Sequence, residues 1–193
     1  MQAERTAYRA WQAEPMSGRV FCVDESGIAA GERVRCGYAK RGQRCVETAP
    51  YRLGRRTNMV GFVCSDGSGA VTTLTGLNVC RVLFAAMMRQ TLVPKLEAGD
   101  VVVWDNHTIH KDALLVAEIE AKGASVRWLP RYSPDMNPAE WLWSWLKRRV
   151  RVACADTSDA VIGALREAVS EGDVGMVEGW IRQGGFQLQP QAV

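Results

Sequence analysis

Residues 101–111 read VVVWDNHTIHK, in which four apolar residues run directly into an acid, an amide and two histidines. A short apolar run without polar alternation is typical of a β-strand covered on both faces. We therefore predict a buried strand that ends at Asp105. In α/β sheets, ligands bind at the carboxyl ends of the strands, so Asp105 marks a candidate functional site.

A second acid occupies the same kind of position. Residues 19–24 read RVFCVD, an apolar strand that we expect to end at Asp24. If the two strands are parallel neighbours about 4.8 Å apart, the carboxylates of Asp24 and Asp105 converge. At about 4 Å they repel by about 1 kcal/mol in water and by several times that near a protein interior, so a cation is expected between them. Carboxylate oxygens suit Mg²⁺ or Mn²⁺. Glu25 should point to the other face of the strand.

A third acid, Glu140, lies at the start of a helix predicted from Pro138 to about Val152. Two interpretations remain open from local evidence. Asn137 as N-cap, Pro138 at the first helical position and Glu140 at the third would form a capping box, which needs no catalysis. Alternatively, the first turn holds the carboxylate rigidly for a ligand. The core face of the helix is expected opposite Glu140 and consists of Trp141, Leu142, Trp145 and Leu146.

Periodicity and turn signals along the chain predict an α/β fold with the order β-β-β-α-β-α-β-α-α. Three antiparallel strands are expected first and then two parallel strands, with helices on both faces of the mixed sheet. The strands are expected at residues 19–24, 58–64, 70–74, 101–104 and 125–129, and the helices at 78–92, 111–122, 138–152 and 158–170. No helix or strand is predicted before residue 19.

The composition is that of a single globular domain. The chain has 193 residues, of which 47% are hydrophobic and 23% charged, which is enough to bury one core. It has no run of eighteen apolar residues and no signal-peptide region, so a cytoplasmic protein without a membrane partner is expected. The six cysteines are scattered, without a C-x-x-C pair, and are interpreted as reduced, mostly buried thiols.

Positive charge is concentrated before the second predicted strand. Between residues 33 and 56 there are eight basic residues against the single acid Glu47, whereas residues 152–193 hold two arginines and six acids. This asymmetry suggests a polyanion on one side of the molecule, and an ordinary solvated loop is the alternative. The eight basic residues are Arg33, Arg35, Lys40, Arg41, Arg44, Arg52, Arg55 and Arg56.

Two other kinds of site have little support. The chain has no G-x-x-x-x-G-K-[ST] loop, so VVVWD is not the magnesium strand of a P-loop ATPase. His107 and His110 could share a zinc ion only with a third ligand, and none lies at a suitable spacing. These histidines are interpreted as helix-entry or substrate-contacting residues. Tyr132 is interpreted mainly as a core or loop anchor, with stacking on an unpaired base as the alternative.

Three stretches contain the candidate acids, namely CVDESG at 22–27, WDN at 104–106 with His110, and LPRYSPDMNPAE at 129–140. Together they resemble the DDE catalytic domain of mariner-type transposases. The thirty-four residues between Asp105 and Glu140 are the separation used by the bacterial insertion-sequence branch, to which the likeness is closest. The resemblance covers about residues 19–151.

The resemblance implies an RNase H-like fold at residues 19–152, with Asp24, Asp105 and Glu140 as catalytic, metal-binding carboxylates for two Mg²⁺ or Mn²⁺ ions. The implied activity is that of a DNA transposase, which hydrolyses DNA at transposon ends and transfers the 3′-hydroxyl into target DNA. Asn106 and His110 are expected to support the site or contact phosphate. The alternatives are a non-transposing RNase H-like nuclease and an inactive remnant that only binds nucleic acid.

The implied partners are double-stranded DNA and, in the DNA complex, a second copy of the chain. The basic residues between 33 and 56 are expected to bind phosphates together with Lys147, Arg148, Arg149 and Arg151. Full-length members of the family carry helix-turn-helix domains ahead of the first acid, whereas residues 1–18 form only a lead. A separate helix-turn-helix polypeptide or the product of an upstream frame is therefore expected. Residues 153–193 are expected to form a helical extension on the same domain, and the protein to be cytoplasmic and nucleoid-associated.

Overall fold

The computed structural model describes residues 2–187, which form one mixed five-stranded sheet with helices on both faces. The strands are β1 (Val20–Ala29), β2 (Arg56–Cys64), β3 (Gly69–Thr75), β4 (Val101–Trp104) and β5 (Ser125–Trp128). The helices are α1 (Gln2–Gln12), α2 (Arg81–Thr91), α3 (Ala113–Ala121), α4 (Ala139–Val152), α5 (Ser158–Glu171) and α6 (Val174–Gln183). Short 3₁₀ turns are formed by Val93–Lys95, Thr108–His110 and Pro134–Met136.

The spatial order of the strands is β3-β2-β1-β4-β5. β2 pairs antiparallel with both β1 and β3, whereas β4 is parallel to both β1 and β5. The predicted combination of antiparallel and parallel strands in a mixed sheet is therefore confirmed. Cys22 is paired with Val103, and the same offset two residues further on sets Asp24 level with Asp105.

β1 is longer than the sequence analysis predicts. It continues from Asp24 to Ala29 because residues 25–29 stay paired with β2. The segment ESG interrupts the apolar pattern, yet strand pairing uses main-chain groups and does not require apolar side chains. Since β4 stops at Trp104, Asp24 lies inside β1 but beside the end of its parallel neighbour.

The sheet separates two apolar clusters. Alternate residues of β1 enter opposite clusters, with Val20 and Cys22 on one face and Phe21 and Val23 on the other. The first cluster includes residues of α4, α5 and α6, and the second includes residues of α2 and α3. Burial on both faces explains why this strand is a continuous apolar run in the sequence.

Two helices are not among the individual helices predicted: α1 lies in the N-terminal lead, and α6 lies within the region 153–193 that is expected to be helical. α1 is polar along most of its length, but Tyr8 enters the first cluster and the Gln12 amide donates to the main-chain oxygen of Gly184 at 2.9 Å. α6 begins after Asp173, whose side chain accepts from the Met176 amide at 2.8 Å. Contacts with distant parts of the chain stabilise both helices, and local sequence patterns do not report such contacts.

Two expectations drawn from composition can be compared with the structure. All six cysteines are free thiols, but only Cys22 and Cys64 are buried, so the expectation of mostly buried thiols is wrong. Cys36 and Cys45, for example, lie in the exposed segment between β1 and β2. Within residues 2–187, no helix is long and apolar enough to cross a membrane.

Candidate active site

A cavity of about 560 Å³ at the carboxyl end of β4 is lined by all three predicted acids, Asp24, Asp105 and Glu140. They come from β1, from the residue after β4 and from the first turn of α4. A larger cavity of about 980 Å³ lies at the opposite end of the parallel strands, around Arg19 and Asp100. Asp100 is already paired with Arg19 at 2.8 Å, so the smaller cavity is the better candidate site.

Asp24 is held by the helix that carries Glu140. The indole Nε1 of Trp143 donates to Oδ2 of Asp24 at 3.0 Å. Burial raises the pKa of Asp24 to about 8, and the charges of Glu25 and Glu140 act in the same direction, against hydrogen bonds from the Glu25 main chain and from Trp143. Asp24 on its own is therefore protonated at neutral pH, and a divalent cation would have to displace that proton.

Asp105 has the opposite electrostatic environment. Its Oδ1 accepts from the main-chain amide of His107 at 2.8 Å and lies 2.7 Å from Nδ1 of His110. Burial raises the pKa of Asp105, but the hydrogen bonds from His110 and His107 outweigh it and hold the pKa below its usual range. Within residues 2–187, Oδ2 of Asp105 has no hydrogen-bond partner, so this ionised oxygen is available to a ligand.

Glu140 does not form the predicted capping box. The residue before the first helical turn of α4 is Pro138, and Asn137 instead accepts from the Ala139 amide at 3.2 Å through its side-chain oxygen. The side-chain amide of Asn137 donates to the main-chain oxygen of Val23 at 3.1 Å, which fixes the start of α4 beside β1. Within the described residues, no hydrogen bond holds the Glu140 carboxylate, so it is free to bind a ligand.

The charge of Glu140 is coupled to the other acids. Although the residue as a whole is exposed, desolvation of its carboxyl group raises the pKa of Glu140. Lys147 opposes this shift, while Asp105 and Glu25 add to it. Because Glu140 in turn raises the pKa of Asp24, the acids from three elements interact electrostatically across the cavity.

The core face of α4 is rotated from the one expected. Trp143 is 1% exposed, whereas Trp141 and Trp145 are partly exposed. Glu140 therefore lies at the edge of the buried face rather than opposite to it. One helical turn separates it from Trp143, so the same part of the helix supplies an acid and the indole that binds Asp24. The buried residues of the helix are Ala139, Leu142, Trp143, Leu146 and Val150.

Both predicted supporting residues are engaged within the protein, and of the two only Asn106 lines the cavity, where a phosphate contact stays a prediction. Asn106 donates to the main-chain oxygen of Leu129 at 2.6 Å, which joins the segments that follow β4 and β5. His110 is fully buried, with its ring nitrogens against Asp105 and Glu25. Burial opposes the charge of His110, but hydrogen bonds to Asp105 and Glu25 outweigh it and raise its pKa to about 9. Its burial excludes direct contact with DNA.

Glu25 and Tyr132 also lie near the cavity. Glu25 lies on the opposite face of β1 from Asp24, as expected, but its carboxylate reaches the site through His110 at 2.8 Å. Tyr132, at the rim of the cavity, is 88% exposed and has a φ of 55°. An exposed tyrosine in the left-handed region is not a core residue, and its stacking on an unpaired base stays a prediction.

The three acids supply the donor chemistry of a Mg²⁺ or Mn²⁺ site, because hard cations prefer carboxylate oxygens. Within residues 2–187, no group of three or more His, Cys, Asp or Glu side chains is close enough together to hold a metal ion as it stands. Desolvation raises the pKa values of Asp24 and Glu140, nearby carboxylates add to the shift, and a divalent cation would favour the ionised forms. The residues therefore fit a metal by type and position.

We expect the protein to lose stability as the pH rises from about 5 to about 8. Folded Asp24 keeps a proton that the unfolded chain has released in this range, so the folded state binds more protons and a rise in pH favours unfolding. His110 adds to the loss only above a pH of about 6.5. Below that pH, the unfolding temperature of Asp24→Asn in metal-free buffer should fall less steeply than that of the wild type. Equal slopes would contradict the raised pKa, and Asp159→Asn, an exposed control, should behave as wild type.

The basic segment between β1 and β2 is exposed and has no regular secondary structure. Arg33 is the exception, because it pairs with Asp156 at 2.7 Å and its side chain is only 12% exposed. Arg56, at the start of β2, donates to Asn58 at 3.0 Å but remains exposed. The other six predicted phosphate-binding residues of the segment are exposed, and they are Arg35, Lys40, Arg41, Arg44, Arg52 and Arg55.

The basic residues of α4 differ in exposure and in whether they already form ion pairs. Two are engaged in ion pairs, Arg149 with Glu171 and Arg151 with Glu32. Arg148 is exposed and, among the described residues, has no ion-pair partner. Desolvation and the nearby positive charges lower the pKa of Lys147, which lies partly buried on the same face as Glu140. Arg148 is therefore the arginine of this helix most available to a polyanion.

The strand order, the helices on both faces and the acids of one cavity define an RNase H-like domain with an acidic centre. The model of one protein family, described as DDE superfamily endonuclease, matches residues 19–162. The chain therefore belongs to the DDE superfamily endonuclease family. No protein of curated function matches the chain.

Solved structures of Mos1 mariner transposase share the fold. The Mos1 mariner paired-end complex with Mn has a TM-score of 0.71 at 19% identity, and the match covers 95% of this chain and 58% of that one. The Mos1 strand transfer complex has a TM-score of 0.66 at 20% identity, over 95% and 56% of the two chains. The catalytic domain of Mos1 mariner transposase has a TM-score of 0.61 at 13% identity, over 86% and 76%. The RNase H-like fold is thus confirmed, and the chain spans less than two thirds of the transposase chains in the DNA complexes.

Proposed function

We propose that this chain is the catalytic domain of a DNA transposase, which hydrolyses phosphodiester bonds at transposon ends and joins the freed 3′-hydroxyl to target DNA. One observation carries the proposal. Asp24, Asp105 and Glu140, which are far apart in sequence, line a single cavity in a chain of the DDE superfamily endonuclease family. The similar Mos1 chains are described in a pre-cleavage transpososome, in paired-end complexes with Mg and with Mn, and in a strand transfer complex.

In the proposed mechanism Asp24, Asp105 and Glu140 would hold two Mg²⁺ or Mn²⁺ ions. When bound there, the ions supply activation of the attacking water or 3′-hydroxyl and stabilisation of the leaving oxygen. The chain's own contribution is to orient the three carboxylates. Trp143 fixes one oxygen of Asp24, and two donors fix one oxygen of Asp105. Asn137 fixes the helix start that carries Glu140.

The exposed basic residues would bind the DNA backbone, because positive side chains neutralise phosphates without reading sequence. We place residues 19–152 in the catalytic domain and residues 153–193 in a helical extension of it, with residues 1–18 preceding both. The chain would act as a dimer on paired ends. Recognition of those ends would come from a helix-turn-helix module outside these 193 residues, either a separate polypeptide or the product of an upstream frame. In the bacterial insertion-sequence branch the protein would act in the cytoplasm on nucleoid DNA.

The proposed function is tested by asking whether the chain both nicks and joins DNA. We expect Mn²⁺-dependent nicking of supercoiled plasmid, and a joined product when a duplex with a free 3′-hydroxyl is added. The same duplex blocked with a 3′-dideoxynucleotide should give no joined product. Nicking without joining would indicate a non-transposing nuclease. If calorimetry with millimolar Mn²⁺ and DNA shows no binding, the chain is an inactive remnant.

Two adjacent arginines of α4 provide a test of the DNA path. We expect Arg148→Ala to weaken DNA binding several-fold and to reduce the slope of log affinity against log salt by about 0.9, the loss of one phosphate contact. Arg149→Ala should have little effect, because Arg149 pairs with Glu171 and lies over the ring of Trp145. Fluorescence anisotropy with a labelled duplex over a range of salt concentrations measures both quantities. Equal losses in the two variants would contradict the proposed path.

A further inference from the structure

A buried histidine bridges acids from two neighbouring strands. Nε2 of His110 lies 2.8 Å from Oε2 of Glu25, and Nδ1 lies 2.7 Å from Oδ1 of Asp105. Nδ1 is also 3.2 Å from the main-chain oxygen of Asp105. Both ring nitrogens are thus directed at acceptor oxygens, so both donate. The bridge joins β1 to the end of β4 at the level where Asp24 and Asp105 stand side by side.

The surroundings of His110 restrict its ring to this orientation. The ring centroid is 4.5 Å from that of Phe84, and the ring is stacked on Trp104 at 5.8 Å with an interplanar angle of 20°. Both aromatic residues are fully buried. A polar ring in such buried, aromatic surroundings needs partners for both nitrogens. Among the described residues, only Glu25 and Asp105 supply them.

The bridge holds one oxygen of the Asp105 carboxylate. Oδ1 receives two donors, Nδ1 of His110 and the main-chain amide of His107. A carboxylate with one oxygen held by two donors cannot rotate freely, so Oδ2 keeps a fixed direction. Loss of Glu25 would release Nε2 of His110 and leave the ring held by Asp105 alone.

We propose that Glu25 is a positioning residue, which acts through His110 to orient the Asp105 carboxylate for metal binding. The proposal rests on the proposed function, because it requires Asp105 to be a metal ligand. Glu25 itself contacts neither DNA nor metal in this assignment. Replacement of a residue that hydrogen-bonds to a metal ligand or orients it commonly changes metal affinity about 10-fold to 100-fold.

The first test compares Glu25→Gln with Glu97→Gln. Glu97 is 78% exposed and lies at the opposite end of the parallel strands, so its variant is a matched control for the loss of one charge. Calorimetry should show Mn²⁺ affinity weakened about tenfold in Glu25→Gln and unchanged in Glu97→Gln. At saturating Mn²⁺, the plasmid-nicking rate of Glu25→Gln should recover to near the wild-type rate. Glu25→Asp keeps the charge on a shorter side chain, so its Mn²⁺ affinity should lie between those of Glu25→Gln and the wild type.

The second test separates action through His110 from a direct charge effect on the neighbouring Asp24. If Glu25 acts through the ring, Glu25→Gln should change Mn²⁺ affinity little in a His110→Gln background. Equal losses in the two backgrounds would overturn the proposal, and so would wild-type affinity in Glu25→Gln. Nitrogen-15 NMR of the metal-free protein gives an independent readout. The Nε2–H signal of His110 should shift in Glu25→Gln and not in Glu97→Gln, and an unshifted signal also overturns the proposal.

These outcomes are distinct from failure of the proposed function. If the wild-type chain binds no Mn²⁺ at millimolar concentration, the metal site is absent, and both the proposed function and the role of Glu25 fail. If the wild type binds Mn²⁺ and nicks plasmid DNA, while Glu25→Gln does both equally well, only the role of Glu25 fails. Thermal unfolding of each variant shows whether a change in affinity comes from loss of the fold.

Discussion

Replacement of Asp105 by asparagine is expected to abolish Mn²⁺-dependent nicking of plasmid DNA, with a rate loss of about 10³-fold or more. Asp105 is the acid of the cavity whose pKa lies below its usual range, so it carries the negative charge that first attracts a cation. Asparagine has nearly the same shape and can still accept from the His107 amide through its side-chain oxygen. The variant therefore loses the charge while the turn after β4 remains intact.

Asp159→Asn is the matched control for this variant, because Asp159 is exposed in the first turn of α5, outside the cavity. Gel assays of supercoiled, nicked and linear plasmid measure the rates. Circular dichroism should show the same helix content in Asp105→Asn, Asp159→Asn and the wild type. Nicking by Asp105→Asn at the wild-type rate would exclude Asp105 from the reaction and remove the main support for a metal-dependent enzyme.

The parts of the fold that depend on local patterns are predictable from the sequence. β4 is an unbroken apolar run and ends at the residue before Asp105, as expected. β2 and β3 are found on either side of the predicted turn at residues 65–69, with strand ends within two residues of the predicted ones. Apolar periodicity and turn residues are sufficient for such elements, because the same local preference and burial act along their whole length.

The features that the sequence analysis misses all depend on distant partners. The second half of β1 is polar and becomes a strand because β2 pairs with it. α1 has few apolar residues, yet Tyr8 and the Gln12 amide find partners across the chain. Helical spacing predicts an apolar face for α4 but not the direction of that face, so Trp143 is buried where Trp141 and Trp145 were the expected core residues. No short stretch of the sequence contains the information about these distant contacts.

In the candidate site, too, some features are predictable from local sequence and others depend on residues that are distant in the chain. The three acids are recognisable because each follows or begins a distinct apolar element, and because the strings around them resemble one family. The residues that hold these acids in place are not recognisable in the same way. His110 could be read as a ligand, and only the fold shows that Glu25 and Asp105 enclose it. Likewise, Arg33 counts as one more basic residue in the sequence, whereas the structure pairs it with Asp156.

Trp143 connects the core to the candidate site, and we expect Trp143→Ala to lower the free energy of unfolding by about 3–5 kcal/mol. The side chain is 1% exposed and lies in the cluster between α4 and the sheet. It fits against β2 because residue 61 is glycine, where an added Cβ would lie 3.2 Å from Cη2 of Trp143. Alanine leaves a large cavity there, so urea unfolding should show a lower midpoint. Trp141→Ala, at a partly exposed position, should lower the free energy of unfolding clearly less than Trp143→Ala does.

Trp143→Phe separates packing from the hydrogen bond to Asp24. Phenylalanine keeps most of the buried ring, so its loss of stability should be clearly smaller than that of the alanine variant. It cannot donate, and Oδ2 of Asp24 then loses the bond that favours its ionised form, which raises the pKa of Asp24 further. Because a cation must displace that proton, Mn²⁺ affinity at neutral pH should fall and recover as the pH is raised. If calorimetry shows wild-type affinity at every pH, the indole serves packing alone.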